Sequence, residues 1–268
     1  MARRLEGRWR RAEATPEREV RARVKLIGSI ATLVILAFAC AHGPRDTKWG
    51  LVNPADADQP RHFMVLPVNL TVKTPPELNP VLDDLFGSIA GYIRGRGDTL
   101  ETVSRKEATA RWAESIVEVR ESEALEDNFG TAMQVYIAHL AETRSFDAAI
   151  SPSIAYRTTK ARDKVVKWDG VFLKMKVVNL SEEAKNKGLA RGLTMNIAGV
   201  SLHVMVFSPK GNLIFQKFGG LDLVHDVDMT GTEFTMNPGL SLKEGVLKEN
   251  DHIDEGIGVA FDPYLPRR

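Results

Sequence analysis

The apolar positions after residue 61 predict alternating strands and helices. Residues 62–68 contain a mostly apolar run that is bounded by Pro60 and Pro67, which is typical of a short buried strand. Apolar residues then recur every three to four positions over 80–93, so we expect a helix that packs one face on that strand. Residues 100–103 predict a second strand, and Ser104 is the expected cap of a helix that runs through residue 116.

The second half of the chain predicts a helix, a strand and then two hairpins. The helix is expected over 131–143 and the strand over 148–154. Asp169-Gly170 is a strong two-residue turn signal between apolar runs, and residues 208–212 separate a second pair of runs. The pattern therefore changes from helix-covered strands to hairpins that have one polar face.

This order of elements predicts a single α/β domain over residues 62–268, with α+β as the alternative class. We expect a mixed sheet with its helices on one side and two carboxy-terminal hairpins. A polar loop at 227–249 and a helix at 251–261 are expected to close the domain.

The amino-terminal segment differs from this domain in charge. Residues 1–39 contain nine of the 36 Lys and Arg but only four of the 35 Asp and Glu. The remaining chain holds 27 basic and 31 acidic residues, a formal net charge of −4, although the whole chain carries +1. The basic residues end at Lys25, directly before an uncharged apolar run, which is the order of a secretory signal peptide.

The end of this apolar run resembles the lipobox of bacterial lipoproteins. Small residues precede the chain's only cysteine in Leu36-Ala37-Phe38-Ala39-Cys40, although position 37 is Ala where Leu is commoner. The resemblance implies that residues 1–39 are removed and that the Cys40 thiol accepts a diacylglyceryl group. A single cysteine also excludes an intramolecular disulfide and a multi-cysteine zinc cluster in this chain.

Two further features bear on the relation to a membrane. Ala41 follows the cysteine, which by the sorting rule of enterobacteria implies a lipoprotein of the outer membrane that faces the periplasm. Residues 40–61 lack apolar periodicity and contain several prolines and glycines, so we expect a lipidated tether. The alternative is an uncleaved anchor helix, because residues 26–41 nearly reach the ~17 residues of the shortest membrane spans.

Four features carry a resemblance of layout to a known group. They are the strand Met64-Val65-Leu66-Pro67-Val68, the helix with Leu82 and Ile89, the strand at Thr102-Val103 and the segment 146–154. Over residues 62–220 they resemble the bacterial envelope lipoprotein domains that include the TolB amino-terminal domain, CsgG and LpoB. The sequence has no evident membrane-inserting strand pair like that of the curli pore protein, so the resemblance does not imply pore formation.

The domain's composition argues against nucleic acid as a partner. Nucleic-acid binding requires clustered positive charge, often beside aromatic residues. The Lys and Arg of the domain are instead interspersed with acids along the chain. The sequence has no Walker loop, dinucleotide-binding glycine fingerprint, zinc-protease helix or nucleophile elbow. We therefore expect no cofactor and assign no catalytic residue.

The candidates for a metal site are Asp222, His225 and Asp226. Their carboxylates and imidazole are ligands that divalent cations accept. On one extended strand the two carboxylates would share a face and His225 would point to the other, so solvated carboxylates are the favoured interpretation. A charged loop at 182–192 is also expected to be solvated or to contact a partner.

Two functional hypotheses follow from these observations. The first is a membrane-anchored envelope lipoprotein whose domain binds another envelope protein as a non-catalytic or assembly-accessory module. The alternative is a periplasmic hydrolase or ligand-binding protein with a dispersed site, for example at Asp222, His225 and Asp226. The absence of catalytic motifs from the sequence favours the first.

Overall fold

A short apolar strand, β1 (His62–Val65), organises the first half of the fold in the computed structural model. It pairs in parallel with β2 (Thr99–Thr102) on one side and with the start of β3 (Ala148–Arg162) on the other. Phe63 and Met64 belong to the apolar layers on opposite faces of the sheet, and both are fully buried. A strand that is apolar on both faces must have other elements packed on both faces of its sheet.

The structure describes residues 62–121, 128–162, 164–179, 194–229, 239–248 and 250–265. All of these residues belong to one compact unit. The leader, Cys40, the expected tether and the charged loop at 182–192 lie outside the described residues. Within the described ranges, no helix is long and apolar enough to cross a bilayer.

Helices α1 (Leu82–Gly95) and α4 (Asn250–Phe261) cover what we call the first face of the sheet. A short 3-10 helix, Pro76–Val81, leads into α1. The apolar positions of α1 are buried at the predicted spacing, which confirms that one face of this helix packs on the strands. They are Leu82, Leu85, Ile89 and Ile93.

Helices α2 (Arg105–Glu121) and α3 (Asn128–Thr143) cover the opposite, second face, where they pack on Met64 and Ala149. The predicted cap is confirmed, because the Glu107 N–H donates to the Ser104 hydroxyl at 3.3 Å. The α/β class and the mixed sheet are also confirmed. The expectation that the helices lie on one side is wrong, since the first strand is apolar on both faces and each face has its own helix pair.

Strand β3 is longer than its apolar run. The sequence predicted an end near Ile154, but the strand continues to Arg162 because β7 (Thr194–Phe207) pairs with it antiparallel from Ala149 onwards. β7 also pairs antiparallel with β8 (Leu213–Leu223), which confirms the second predicted hairpin. The backbone hydrogen bonds of a neighbouring strand therefore extend β3 through a polar sequence.

The first predicted hairpin is confirmed as β4 (Val165–Trp168) and β5 (Val171–Lys174). Its turn residues Asp169 and Gly170 have φ of 40° and 82°, as a tight hairpin turn requires. β4 pairs with the last two residues of β3, and the hairpin then folds over the second face, where Trp168 lies against the β7–β8 pair. The Gly220 N–H on β8 donates to the Asp169 carbonyl at 3.2 Å.

A small second sheet forms from segments distant in sequence. β9 (His225–Asp228) pairs in parallel with β6 (Val177–Val178) and antiparallel with β10 (Gly239–Leu242). The expectation of a polar loop throughout 227–249 is therefore wrong. The outward-facing leucines of β10 and the short polar strand β9 give a weak sequence signal, because the pairing of these strands rather than their own apolar content defines them.

Two glycines set the distance between α4 and the sheet. A Cβ atom on Gly219 of β8 would overlap the Gly256 carbonyl of α4, and a Cβ on Gly256 would overlap the Gly220 carbonyl. The helix and the strand thus approach through their backbones. Glycine is needed at both positions because any side chain would push α4 away from the first face.

Candidate functional site

The polar group of the fold that most resembles a site lies under the β4–β5 hairpin. Four side chains meet there: Arg157 of β3, Trp168 and Asp169 of the hairpin, and Ser201 of β7. We call them the Asp169 cluster. The inward alternation of β3 brings Arg157 to the second face, and the positive φ of Asp169 turns its carboxylate toward the same face.

The Asp169 cluster is joined by short hydrogen bonds. The Ser201 hydroxyl donates to Asp169 Oδ2 at 2.7 Å and accepts from Trp168 Nε1 at 3.0 Å. Arg157 holds the carboxylate with two nitrogens, with Nε 3.2 Å from Oδ2 and Nη2 3.4 Å from Oδ1. Only 13% of the Arg157 side chain and 6% of the Asp169 side chain are exposed, so this ion pair is shielded from water.

An aromatic stack adjoins the cluster on the same face. His203 of β7 stacks on Phe218 of β8 with ring centroids 4.2 Å apart, and the Arg157 guanidinium lies 4.6 Å from the centroid of Phe218. The pKa of His203 is lowered to about 4, mainly by burial and also by the nearby Arg157 charge, against the opposing effects of a hydrogen bond with Gln216 and the Asp169 charge. His203 is therefore neutral at physiological pH.

The residue types Ser, His and Asp invite comparison with a nucleophilic triad, but the connections differ. A catalytic serine gives its proton to a base that a third group orients. Here Ser201 donates directly to the carboxylate, and its described partners are Asp169 and Trp168, with His203 outside this network. Ser201 is also fully buried, so no substrate reaches it. The cluster fastens the hairpin to the sheet.

The structure places Asp222 differently from the solvated carboxylate that the sequence favoured. Its side chain is 2% exposed, and Lys243 Nζ lies 2.8 Å from Oδ1. The backbone N–H groups of Leu223 and Leu247 donate to the two carboxylate oxygens at 2.7 and 2.8 Å. The expectation of solvation is therefore wrong for Asp222, which instead fastens the segment after β10 to the end of β8.

The other two candidates for a metal site lie beyond a bend at Val224, on β9. His225 stands opposite Leu242 and Asp226 opposite Ser241 on the antiparallel partner strand. The Nδ1 atom of His225 is buried without a hydrogen-bond partner. Among the residues that the structure describes, no three His, Cys, Asp or Glu side chains form a group that could hold a metal ion.

The Asp169 cluster was not predicted from the sequence. Asp169 was interpreted only as a turn residue, and Arg157 lies beyond the predicted end of β3. The available signal was the continued alternation after Ile154, which places Arg157 and Thr159 on the inward face of an extended strand. Ser201 carried a weaker signal, a small polar residue between apolar positions of β7.

No protein-family model, no curated protein and no solved structure matches this chain. The likeness in layout to the TolB, CsgG and LpoB group therefore stays a prediction. Function has to be inferred from the residues of the chain and from their positions in the fold.

Proposed function

We propose that the chain is a membrane-anchored envelope lipoprotein whose α/β domain is a non-catalytic binding or assembly-accessory module. The observation that carries the proposal is Cys40 at the end of an uncharged run that follows a basic leader. In this proposal the leader is removed, and acyl chains on Cys40 hold the mature chain on the periplasmic side of the outer membrane. Several acyl chains together give stable anchoring, whereas one chain gives only marginal membrane binding.

The arrangement of buried polar groups supports a binding role over a catalytic one. Asp169 is committed to Arg157 and Ser201, and Asp222 is committed to Lys243 and to backbone N–H groups. A catalytic acid or nucleophile must have at least one atom that is free to contact the substrate. These two carboxylates instead fasten segments of the fold to the sheet.

The anchor is tested by metabolic labelling with a fatty acid. The full chain is compared with Cys40→Ser in bacterial cells that express each at the same level. We expect label on the full chain and none on the variant, because the thiol accepts the diacylglyceryl group in the first lipidation step and the later steps depend on it. Equal labelling of the two chains would contradict the proposed anchor.

The binding role is tested by crosslinking in intact cells, followed by capture of the full chain from solubilised membranes. A control is the Asp169→Asn chain, in which the hairpin is loosened while Cys40 and the apolar leader are unchanged. We expect a defined envelope protein to be enriched with the unchanged chain and reduced with the control. Repeated capture of no partner, from cells in which labelling of Cys40 succeeds, would remove the binding role and leave the anchor standing.

A further inference from the structure

The part of β3 that extends beyond the helices carries positive charge on its outward side. Strand alternation places Lys160 and Arg162 of β3, Lys167 of β4 and Lys174 of β5 on one surface, and all four are exposed. Val165 and Phe172 lie among them, with 40% and 58% of their surface exposed. We call these six residues the basic face.

The register of the three strands fixes how the basic face is arranged. Arg162 stands opposite Val165, and Val165 opposite Lys174, which makes one row across the sheet. Lys167 stands opposite Phe172 on the hairpin, and the Lys167 ammonium lies 4.9 Å from the centroid of the Phe172 ring. Lys160 is exposed two residues before Arg162 on the same side of β3. Neighbouring paired strands lie about 5 Å apart, so the charges of Arg162 and Lys174, on either side of Val165, are within about a Debye length of each other.

Lys160, Lys167 and Lys174 supply the positive charge on which the proposal depends. Asp169, the acid at the tip of the hairpin, turns to the opposite side and pairs with Arg157. Residues 157–176 contain seven Lys and Arg but only two Asp, and the alternation of β3, β4 and β5 places three of these lysines on one surface. These lysines lie together although the chain after residue 39 has a formal net charge of −4.

We propose that the basic face docks on the surface of a bilayer that contains anionic phospholipid. Clustered cations attract anionic headgroups, and exposed Phe and Val among the cations can enter the boundary between headgroups and acyl chains. The net negative charge of the remaining domain would orient this surface, rather than another, toward the lipid.

The proposed anchor makes this docking geometrically accessible, and in this respect the inference rests on the proposed function. Residues 41–61 can extend over roughly 70 Å at most, which exceeds the size of the domain. Docking on lipid would hold the domain against the membrane, whereas a domain without it would be free to move on its tether. The basic face would therefore decide which side of the domain is presented to a partner.

The test uses an environment-sensitive fluorophore on the basic face of the full chain. Cys40→Ser removes the only native thiol, and Val165→Cys introduces one between Arg162 and Lys174 while Phe172 is kept. Vesicles of phosphatidylcholine with and without phosphatidylglycerol are added at low ionic strength. We expect brighter, blue-shifted emission with the phosphatidylglycerol vesicles only, and loss of this response at high salt.

Two controls separate docking by this face from attachment through the leader. The first moves the fluorophore to Val117→Cys on α2, which is also exposed but lies on another element and should give no response. The second control compares two triple variants of the fluorophore-labelled chain. Lys160→Glu/Lys167→Glu/Lys174→Glu should abolish the response. Lys106→Glu/Lys210→Glu/Lys248→Glu reverses the charge of three exposed lysines elsewhere and should retain it.

The outcomes distinguish the alternatives. An equal response in all charge variants, or an equal response at Val117→Cys, would overturn docking through the basic face. A response to a single-stranded oligonucleotide with none to phosphatidylglycerol vesicles would overturn it in favour of nucleic acid. Because every protein in the experiment carries Cys40→Ser, its result does not depend on lipidation, and a failure here is distinct from a failure of the fatty-acid labelling.

Discussion

Strand β3 passes through two different environments. From Ala148 to Ile154 every residue is buried, with α1 and α4 above and α2 and α3 below. From residue 155 to Arg162 the strand alternates, with Arg157 and Thr159 under the hairpin and Lys160 and Arg162 exposed. The near half, Ala148 to Ile154, is covered by helices on both faces. The far half, residues 155–162, is covered on one face by the hairpin, through an apolar cluster that includes Ala161, Val166 and Trp168 and through the buried polar bonds of the Asp169 cluster.

The difference shows how the fold separates stability from surface chemistry. Apolar packing on both faces leaves no side chain of the near half available to a partner. In the far half a hairpin covers only the second face, so the first face is open and can carry charge. A binding role is therefore easier to place in the far half, where changing an outward side chain removes no core contact.

The near half is tested most strongly at the contact between α4 and the sheet. Gly219→Ala should lower the free energy of unfolding by about 3 kcal/mol or more, because the added methyl overlaps the backbone of α4. Gly87→Ala on α1 is the matched control, since a Cβ there meets nothing within 4 Å and should raise stability by about 0.7 kcal/mol. Denaturant unfolding measures both, and a neutral Gly219→Ala would contradict the close approach.

The far half should respond nearly as strongly to loss of one charge. Asp169→Asn keeps the shape and the positive φ but leaves Arg157 without its carboxylate, so we expect a loss of about 2 to 3 kcal/mol. In a double-mutant cycle with Arg157→Met, the two losses should not add, because each substitution removes the same ion pair. Additive losses would show that the pair contributes little and that hairpin packing dominates.

The aromatic stack beside the Asp169 cluster predicts a pH dependence. The pKa of His203 is about 4 in the folded chain and ~6.5 when unfolded, so protonation favours unfolding. The stability that this group contributes is present above pH ~6.5 and is lost as pH falls toward 4, by about 1 to 2 kcal/mol at pH 5. His203→Gln should flatten this part of the profile.

His139→Gln provides the comparison for that profile, because the His139 side chain is 35% exposed and lies on α3 in the helix layer. Unfolding of the three chains is measured between pH 4 and pH 7. If His203→Gln lost as much stability between pH 7 and pH 4 as the unchanged chain, protonation of other groups would account for the loss.

The smallest effect is expected in the apolar layer of the near half. The Tyr136 hydroxyl is buried with no hydrogen-bond partner, and burial raises the pKa of this side chain. Tyr136→Phe should change stability by no more than about 0.5 kcal/mol or increase it slightly, because no hydrogen bond is lost. The Tyr92 hydroxyl, by contrast, donates to the Leu265 carbonyl at 2.7 Å, so Tyr92→Phe should lower the free energy of unfolding by about 1 kcal/mol.

The same division explains what could be predicted from the sequence. The helical spacing of Leu82, Leu85 and Ile89 and the Asp169-Gly170 turn are local signals, and the structure confirms both elements. The extension of β3 and the small sheet of β6, β9 and β10 depend on strands that are distant in sequence, so no local pattern contains them. The second helix layer was predictable only from the fact that β1 is apolar on both faces.

The candidate site was less predictable than the fold for a related reason. Asp169 meets Ser201 only because the hairpin folds back over the sheet, and this contact spans 32 positions in the chain. The six residues of the basic face are likewise separated by the turns between β3, β4 and β5. The sequence shows a local excess of Lys and Arg over residues 157–176, but the strand register is needed to show which of them share a surface.

The proposal that the domain is held at a membrane through Cys40 is tested most directly at the amino terminus of the mature chain. The full chain is produced in bacterial cells, recovered from the membrane fraction, and its amino-terminal peptide is analysed by mass spectrometry. We predict a peptide that begins at Cys40 and carries a diacylglyceryl group on the thiol. An intact leader, or a chain that begins elsewhere with an unmodified Cys40, would contradict the proposed anchor.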